Sequence, residues 1–151
     1  MTIDDIIAKL ERAGWGKDKL VGCTEDEVRR MDLAAGGALP DVYQEFLLKL
    51  GRNAGPLCRD LGMLYTEGTS RTEHQRDLHN RISDILVESG SNDRLPDRTF
   101  FFADAQGYFF YFFDLDDPAD DPVVYGIGEE GDGPQVIAST FTEFILMDED
   151  I

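Results

Sequence analysis

Lysine and arginine are missing from the last third of the chain. Residues 1–98 contain 14 basic and 18 acidic residues, whereas residues 99–151 contain 13 acidic residues and no basic one. The net charge of −17 is therefore concentrated towards the C terminus. Because such a surface repels phosphate groups, we expect no direct binding to nucleic acids and none to an anionic membrane.

Cysteine and histidine are scarce as well. The two cysteines, Cys23 and Cys58, do not form a Cys-x-x-Cys pair, which predicts buried thiols in a reducing compartment. The two histidines, His74 and His79, lie five positions apart, or about 140° around a helix, so they do not match the i, i+4 spacing of a metal site. We therefore expect no zinc site.

Targeting segments and catalytic motifs are not recognisable either. The first residues include no basic segment and no long apolar run, which predicts neither a signal peptide nor a membrane span and favours the cytoplasm. Neither a Gly-x-Ser-x-Gly nucleophile elbow nor a Walker A loop occurs. Carboxylates are so abundant that no acid/base pair stands out. We expect a binding protein without a cofactor, not an enzyme.

The sequence does have the composition of one globular domain. Its 151 residues are 42% hydrophobic and 30% charged, and no repeat or Pro/Gly-rich linker interrupts them. A chain of this length can bury a core without a disulfide or a metal. We therefore expect residues 1–151 to form a single domain.

Five segments combine the apolar spacing of a helix with capping residues at its start. The capping-box pairs are Thr24 with Glu27, Ser70 with Glu73, and Thr140 with Glu143. The predicted helices are residues 3–13 after Thr2, residues 24–35, a third from Pro40 to its C-cap Gly51, a fourth from Ser70 to Ser89, and a last one that begins near Thr140.

Strands are expected mainly after Pro96, where aromatic residues are dense. The predicted strands are a short one near Met63–Tyr65, then Thr99–Ala103, Tyr108–Phe113, Pro122–Ile127 and Gln135–Ala138, with a hairpin loop over residues 104–107. The strand Tyr108–Phe113 is aromatic on both faces, so it should be central, with at least one face under helices. The fold class is α+β, a twisted, antiparallel-rich sheet covered by helices.

A cluster of acidic residues follows the aromatic strand. It does not match an EF-hand, because a loop that begins at Asp114 would need Gly at its sixth position and Glu at its twelfth. The sequence has Ala119 and Tyr125 there. A looser Ca²⁺ site is an alternative, and acidic gatekeepers against aggregation, with Asp104 as a further example, are another.

Gatekeeping needs only a few charges, so the surplus predicts a surface for a basic partner. We expect this surface on loops at one end of the sheet. Its candidate residues are Asp114, Asp116, Asp117, Asp120, Asp121, Glu129, Glu130 and Asp132.

Several short motifs, in order, resemble the SUKH superfamily, which includes bacterial immunity proteins and fungal cell-wall-synthesis regulators of the Smi–Knr type. The similarity covers roughly residues 15–147. The motifs are Gly22-Cys-Thr-Glu-Asp-Glu-Val, Leu39-Pro40-Asp-Val-Tyr43-Gln-Glu-Phe46-Leu47, Gly51, Ala54-Gly55, Phe100–Phe102, Tyr108–Phe113, Asp121-Pro122-Val123-Val124-Tyr125 and Thr140-Phe141-Thr-Glu-Phe144.

The resemblance implies a binding fold without catalytic residues. Bacterial members are thought to neutralise a cognate toxin, so we expect an immunity protein whose acidic surface meets a basic, nucleic-acid-targeting toxin domain. A scaffold or regulatory module inside the cell is the alternative. Whether the predicted helix from Ser70 to Ser89 forms a second contact surface stays open.

Overall fold

The computed structural model describes residues 1–63, 72–130 and 132–147. These ranges contain five helices and five strands, in an α+β arrangement. In chain order they are α1 (Ile3–Arg12), α2 (Glu25–Ala34), α3 (Asp41–Leu50), β1 (Gly62–Met63), α4 (Thr72–Glu88), β2 (Thr99–Ala105), β3 (Phe109–Asp114), β4 (Val124–Gly128), β5 (Gln135–Ala138) and α5 (Phe141–Leu146).

The five strands form an antiparallel sheet in which each strand pairs with the next along the chain, in the order β1-β2-β3-β4-β5. The hairpin between β2 and β3 turns through Gln106 and Gly107, whose φ angles are 54° and 76°. Positive φ at both central residues is typical of a type I′ turn, which suits the twist of a hairpin. Strand β2 therefore extends through Asp104 and Ala105, two residues further than predicted.

The central strand β3 is buried on both faces. Its aromatic pattern predicts helices over at least one face, and the structure has helices over both. On one face, Phe113 stacks on Phe102 at 4.4 Å between ring centroids, under α1, α2, α3 and α5. On the other face, Phe112 packs with Phe101 and with Ile82 of α4. Since neighbouring side chains of a strand point to opposite faces, one aromatic strand supplies both cores.

Gly51 and Gly55, both in the motifs of the resemblance, are glycine for different physical reasons. Gly55 has a φ of 63°, a conformation that other residues resist. Gly51, at the end of α3, instead has an ordinary helical φ of −62°. A Cβ there would lie 2.5 Å from Sγ of Cys23 and 2.5 Å from the carbonyl oxygen of Leu47, so lack of space requires glycine.

The predicted caps of α2 and α5 are confirmed with one change. Thr24 and Glu27 form the full capping box. Thr140 accepts a hydrogen bond from the N–H of Glu143, but the carboxylate of Glu143 accepts from Ser139 instead of from Thr140. Ser70, the predicted cap of α4, and most of the predicted strand near residue 65 lie outside the described residues.

A glutamine side chain covers part of the outer edge of β2. Among the described residues, strand β1 pairs with Asp104 and Ala103 of β2. Beyond them, Nε2 of Gln75 donates to the carbonyl oxygen of Phe101 at 2.8 Å, and the N–H of Phe101 donates to Oε1 of Gln75 at 2.8 Å. Gln75 is 6% exposed, so this amide replaces a strand neighbour inside the protein and attaches α4 to the sheet.

We expect Gln75→Leu to destabilise the protein strongly. The substitution leaves a buried N–H and a buried C=O of Phe101 without these partners, which should cost about 3 kcal/mol in the free energy of unfolding. Urea unfolding measures this loss. Arg76→Leu, an exposed change on the same helix, is the control and should alter stability by less than about 0.5 kcal/mol. Equal stability of the two variants would contradict the role of Gln75.

Glu27 gives the fold a dependence on pH. The guanidinium of Arg52 pairs with its carboxylate, and the N–H of Thr24 donates to it, which together lower the pKa of Glu27 from 4.5 to about 2. A carboxylate whose pKa is lower in the folded state stabilises the fold above its unfolded pKa. This stabilisation is lost as the pH falls towards the folded value.

We therefore expect Glu27→Gln to remove part of the acid sensitivity of the protein. Wild type should exceed the variant in urea midpoint at pH 6, and the difference should shrink as the pH falls from about 5 to about 2. Glu25→Gln, an exposed change in the same helical turn, is the control. If the difference in urea midpoint between wild type and Glu27→Gln stays constant over this range, protonation of Glu27 does not contribute to the acid sensitivity of the fold.

Candidate functional site

The candidate carboxylates lie on two loops at opposite ends of the sheet. We call residues 114–121, which begin at the last residue of β3, the first acidic loop, and we call Glu129, Glu130 and Asp132, after β4, the second acidic loop. Consecutive antiparallel strands reverse at alternate ends of a sheet, and the five residues of β4 separate the loops by roughly 16 Å. The expectation that all candidates share one end is therefore wrong.

The start of the first acidic loop is held by its own carboxylates. Oδ1 of Asp114 accepts a hydrogen bond from the N–H of Asp116 at 2.9 Å. Oδ2 of Asp116 accepts from the N–H of Arg98 at 3.1 Å, and the N–H of Leu115 donates back to the carbonyl oxygen of Arg98 at 2.8 Å. Asp116 thus fixes the loop to Arg98, just before β2, and Asp114 holds the turn within the loop.

The end of the first acidic loop is attached to two helices. Asp121 accepts from the N–H of Thr142 at 3.1 Å and from its hydroxyl at 2.6 Å, in the first turn of α5. The carbonyl oxygen of Asp120 accepts from the N–H of Val42 at 3.0 Å, in the first turn of α3. Negative groups are favoured at helix N termini. Asp121 is therefore a structural residue, whereas the side chain of Asp120 is exposed.

The second acidic loop also has one structural carboxylate. Glu129 pairs with Arg81 of α4, whose guanidinium lies over the ring of Phe110 at 5.6 Å from its centroid. The N–H of Glu129 donates to the carbonyl oxygen of Tyr108 at 3.1 Å. Glu130 and Asp132 are exposed.

Four candidates remain as unpaired surface charges. We call them the four free carboxylates: Asp117, Asp120, Glu130 and Asp132. They are exposed, and within the described ranges their side chains form no hydrogen bond or ion pair. Since no ion pair within the described ranges offsets these charges, they contribute to the field outside the protein.

The first acidic loop borders a cavity that the sequence does not reveal. The cavity measures about 240 Å³ and lies against the start of α3, where Pro40 and Asp41 line it together with Asp117, Pro118 and Asp120. It has room for roughly eight water molecules, or for the end of a lysine or arginine side chain. Asp41 thus joins this acidic surface through a contact between distant segments, for which the sequence has no signal.

The histidines lie on α4. Nε2 of His79 is 2.9 Å from the carbonyl oxygen of Pro96, and Nδ1 is 3.4 Å from Oγ of Ser83, so the ring links α4 to the segment before β2. Within residues 1–63, 72–130 and 132–147, no three His, Cys, Asp or Glu side chains converge as metal ligands would. No helix in the same residues is long and apolar enough to cross a bilayer.

The two cysteines differ in their surroundings. Cys23 is buried, and burial raises the pKa of its thiol, with a smaller contribution from the nearby Glu27. Cys58 is only half-buried and has a φ of 55°. The expectation of a buried thiol is therefore correct for Cys23 and wrong for Cys58.

The motif residues at the start of the resemblance have structural roles. A Cβ on Gly22 would overlap the carbonyl oxygen of Leu48, and the N–H of Cys23 donates to the carbonyl oxygen of Leu47 at 2.7 Å. Oδ1 of Asp32 accepts from the N–H of Leu39 at 3.0 Å. These contacts position α2 and α3.

The fold and the site define a class of protein: a helix-covered antiparallel sheet whose strand ends expose unpaired carboxylates. A family model described as SMI1 / KNR4 family (SUKH-1) matches residues 22–147, and the chain belongs to this family. The resemblance inferred from the motifs is thereby confirmed. No curated protein and no solved structure matches the chain significantly.

The contact between Asp121 and Thr142 predicts a clear difference between neighbouring carboxylates. Asp121→Ala removes the acceptor of two hydrogen bonds to Thr142, which is 7% exposed, and should lower the free energy of unfolding by about 1–3 kcal/mol. Asp120→Ala should change it by less than about 0.5 kcal/mol, because that side chain is exposed. Urea unfolding compares the two, and equal losses would show that Asp121 does not anchor α5.

Proposed function

We propose that this chain is an immunity protein that binds and neutralises a basic toxin domain acting on nucleic acid. Membership in the SMI1/KNR4 family supports a role in protein binding. Neutralisation is then by occupation of the toxin surface and not by a reaction, and it takes place in the cytoplasm, where the toxin would meet its target.

The observation that carries the proposal is the set of four free carboxylates. They belong to a region of 53 residues, 99–151, that contains no lysine or arginine. The described ion pairs, apart from that of Arg81 with Glu129, lie in the N-terminal half of the chain. The acidic loops therefore keep unbalanced negative charge at both ends of the sheet.

Charge of this sign suits a partner that acts on nucleic acid. An enzyme that holds DNA or RNA presents lysine and arginine to the phosphates. Carboxylates on the inhibitor can contact those cations in place of the phosphates. Because the screening length is about 8 Å at physiological ionic strength, charges on two loops also attract the partner before contact and increase the association rate.

We expect the chain to protect cells from the C-terminal domain of a large secreted protein encoded next to it. The toxin domain is expressed in a bacterial host with and without this chain, and survival is measured. The purified pair is then titrated at increasing salt concentration. Rescue of growth, with affinity that falls steeply with salt, is the expected result.

The four free carboxylates allow a matched test of the acidic surface. Asp117→Asn, Asp120→Asn, Glu130→Gln and Asp132→Asn together should weaken binding at low salt about tenfold or more and reduce its salt dependence. The control neutralises four exposed carboxylates elsewhere, at Glu11, Asp18, Asp84 and Glu88, and changes the net charge equally. Both sets leave Asp121 and Glu129 in place, so the fold is retained.

The outcomes separate the proposal from its alternative. Equal affinity and equal salt dependence of the two quadruple variants would exclude the acidic loops as the contact surface. Failure to protect cells, together with stable binding to a protein of the same cell, would favour a regulatory module instead.

A further inference from the structure

Strand β5 leaves one edge of the sheet open. It is the last strand in the sheet order and, within the described part of the chain, pairs with β4 alone. Among the described residues, its backbone forms no hydrogen bond to any other segment. Since alternate residues of a strand direct N–H and C=O groups away from the paired neighbour, this edge presents free donors and acceptors.

Val136, in the middle of β5, is an exposed apolar residue. Val136 is 64% exposed and pairs with Tyr125 of β4, which is half-buried. Tyr125 packs against the core between the sheet and α4, which contains Phe112. Val136 lies outside that core. An added strand would remove Val136 from water and give it a cross-strand neighbour.

The two acidic loops lie at the two ends of this open edge. The second acidic loop leads into β5 at Gln135. The first acidic loop leads into β4, whose first residue, Val124, pairs with Ala138 at the other end of β5. Asp117 and Asp120 therefore belong to one end of the edge, and Glu130 and Asp132 to the other.

We propose that β5 receives an extended segment of the toxin as a sixth strand, with basic residues at both ends of the segment and an apolar residue beside Val136. The inference rests on the proposed function and specifies the segment that the acidic loops recognise. About five residues in extended conformation span the roughly 16 Å between the loops, so lysines or arginines on either side reach the carboxylates.

Charge favours this occupant over a second copy of the chain. Exposed edges are often protected by lysine, but residues 99–151 contain none. Their net negative charge opposes pairing of β5 with another β5, since like charges would meet at both ends. The same charge attracts a basic segment.

Two synthetic peptides of equal charge test the strand addition on the full chain. The first has two lysines at each end and alternating valine and threonine over five central positions. In the second, the central threonines are replaced by proline, which removes the backbone donors needed for a ladder. Binding is followed at low salt by NMR titration and by hydrogen exchange of the amides in Gln135–Ala138.

The threonine peptide should bind about tenfold or more tightly than the proline peptide and should slow exchange of the outward amides of β5. Val136→Asn should weaken its binding, whereas Val87→Asn, at an exposed valine of α4, should not. The variant that neutralises the four free carboxylates should lose affinity for both peptides.

The results distinguish this inference from the proposed function. Equal binding of the two peptides, with loss of both in the neutralised variant, would overturn strand addition and leave a purely electrostatic contact surface. Binding of neither peptide, or protection of β5 by self-association before peptide is added, would overturn it as well. Whether the chain protects cells from the toxin is decided separately by the rescue experiment.

Discussion

The burial of β3 on both of its faces is the constraint that arranges the other elements. Phe112 and Phe113 are fully buried on opposite sides of the sheet, so each side needs its own cover of helices. Helix α4 supplies one cover and the four remaining described helices the other. With both faces closed, the candidate carboxylates of this part of the chain lie at the ends of the strands.

The carboxylates at those ends have two different roles, although the sequence does not distinguish them. Asp114, Asp116 and Asp121 accept hydrogen bonds from backbone groups, and Glu129 holds α4 through Arg81. These contacts keep the loops in place. The four free carboxylates are carried by the same loops and remain available to a partner. The structural carboxylates therefore hold the free carboxylates in defined positions, and both kinds contribute to one negative surface.

The position of the loops also connects the family fold with a mode of binding. An antiparallel meander separates successive loops by the length of one strand, and β5 is the strand that lies between them at the edge. An extended partner segment that reaches both loops can therefore lie along β5, as we propose. The unpaired edge, the exposed Val136 and the charge at both ends are then three features of one surface and not separate details of the fold.

The sequence by itself determined the secondary structure and the class of fold, because both depend on local patterns. Apolar spacing and the Thr24 cap place α2 within a residue, and the double-sided aromatic run identifies the central strand. Roles that depend on residues far apart in the chain were decided only by the tertiary structure. Asp121 meets Thr142, Gln75 meets Phe101, and the acidic loops lie apart because antiparallel strands reverse direction. Composition shows how much charge the chain carries, whereas the path of the backbone decides which carboxylates are left for a partner.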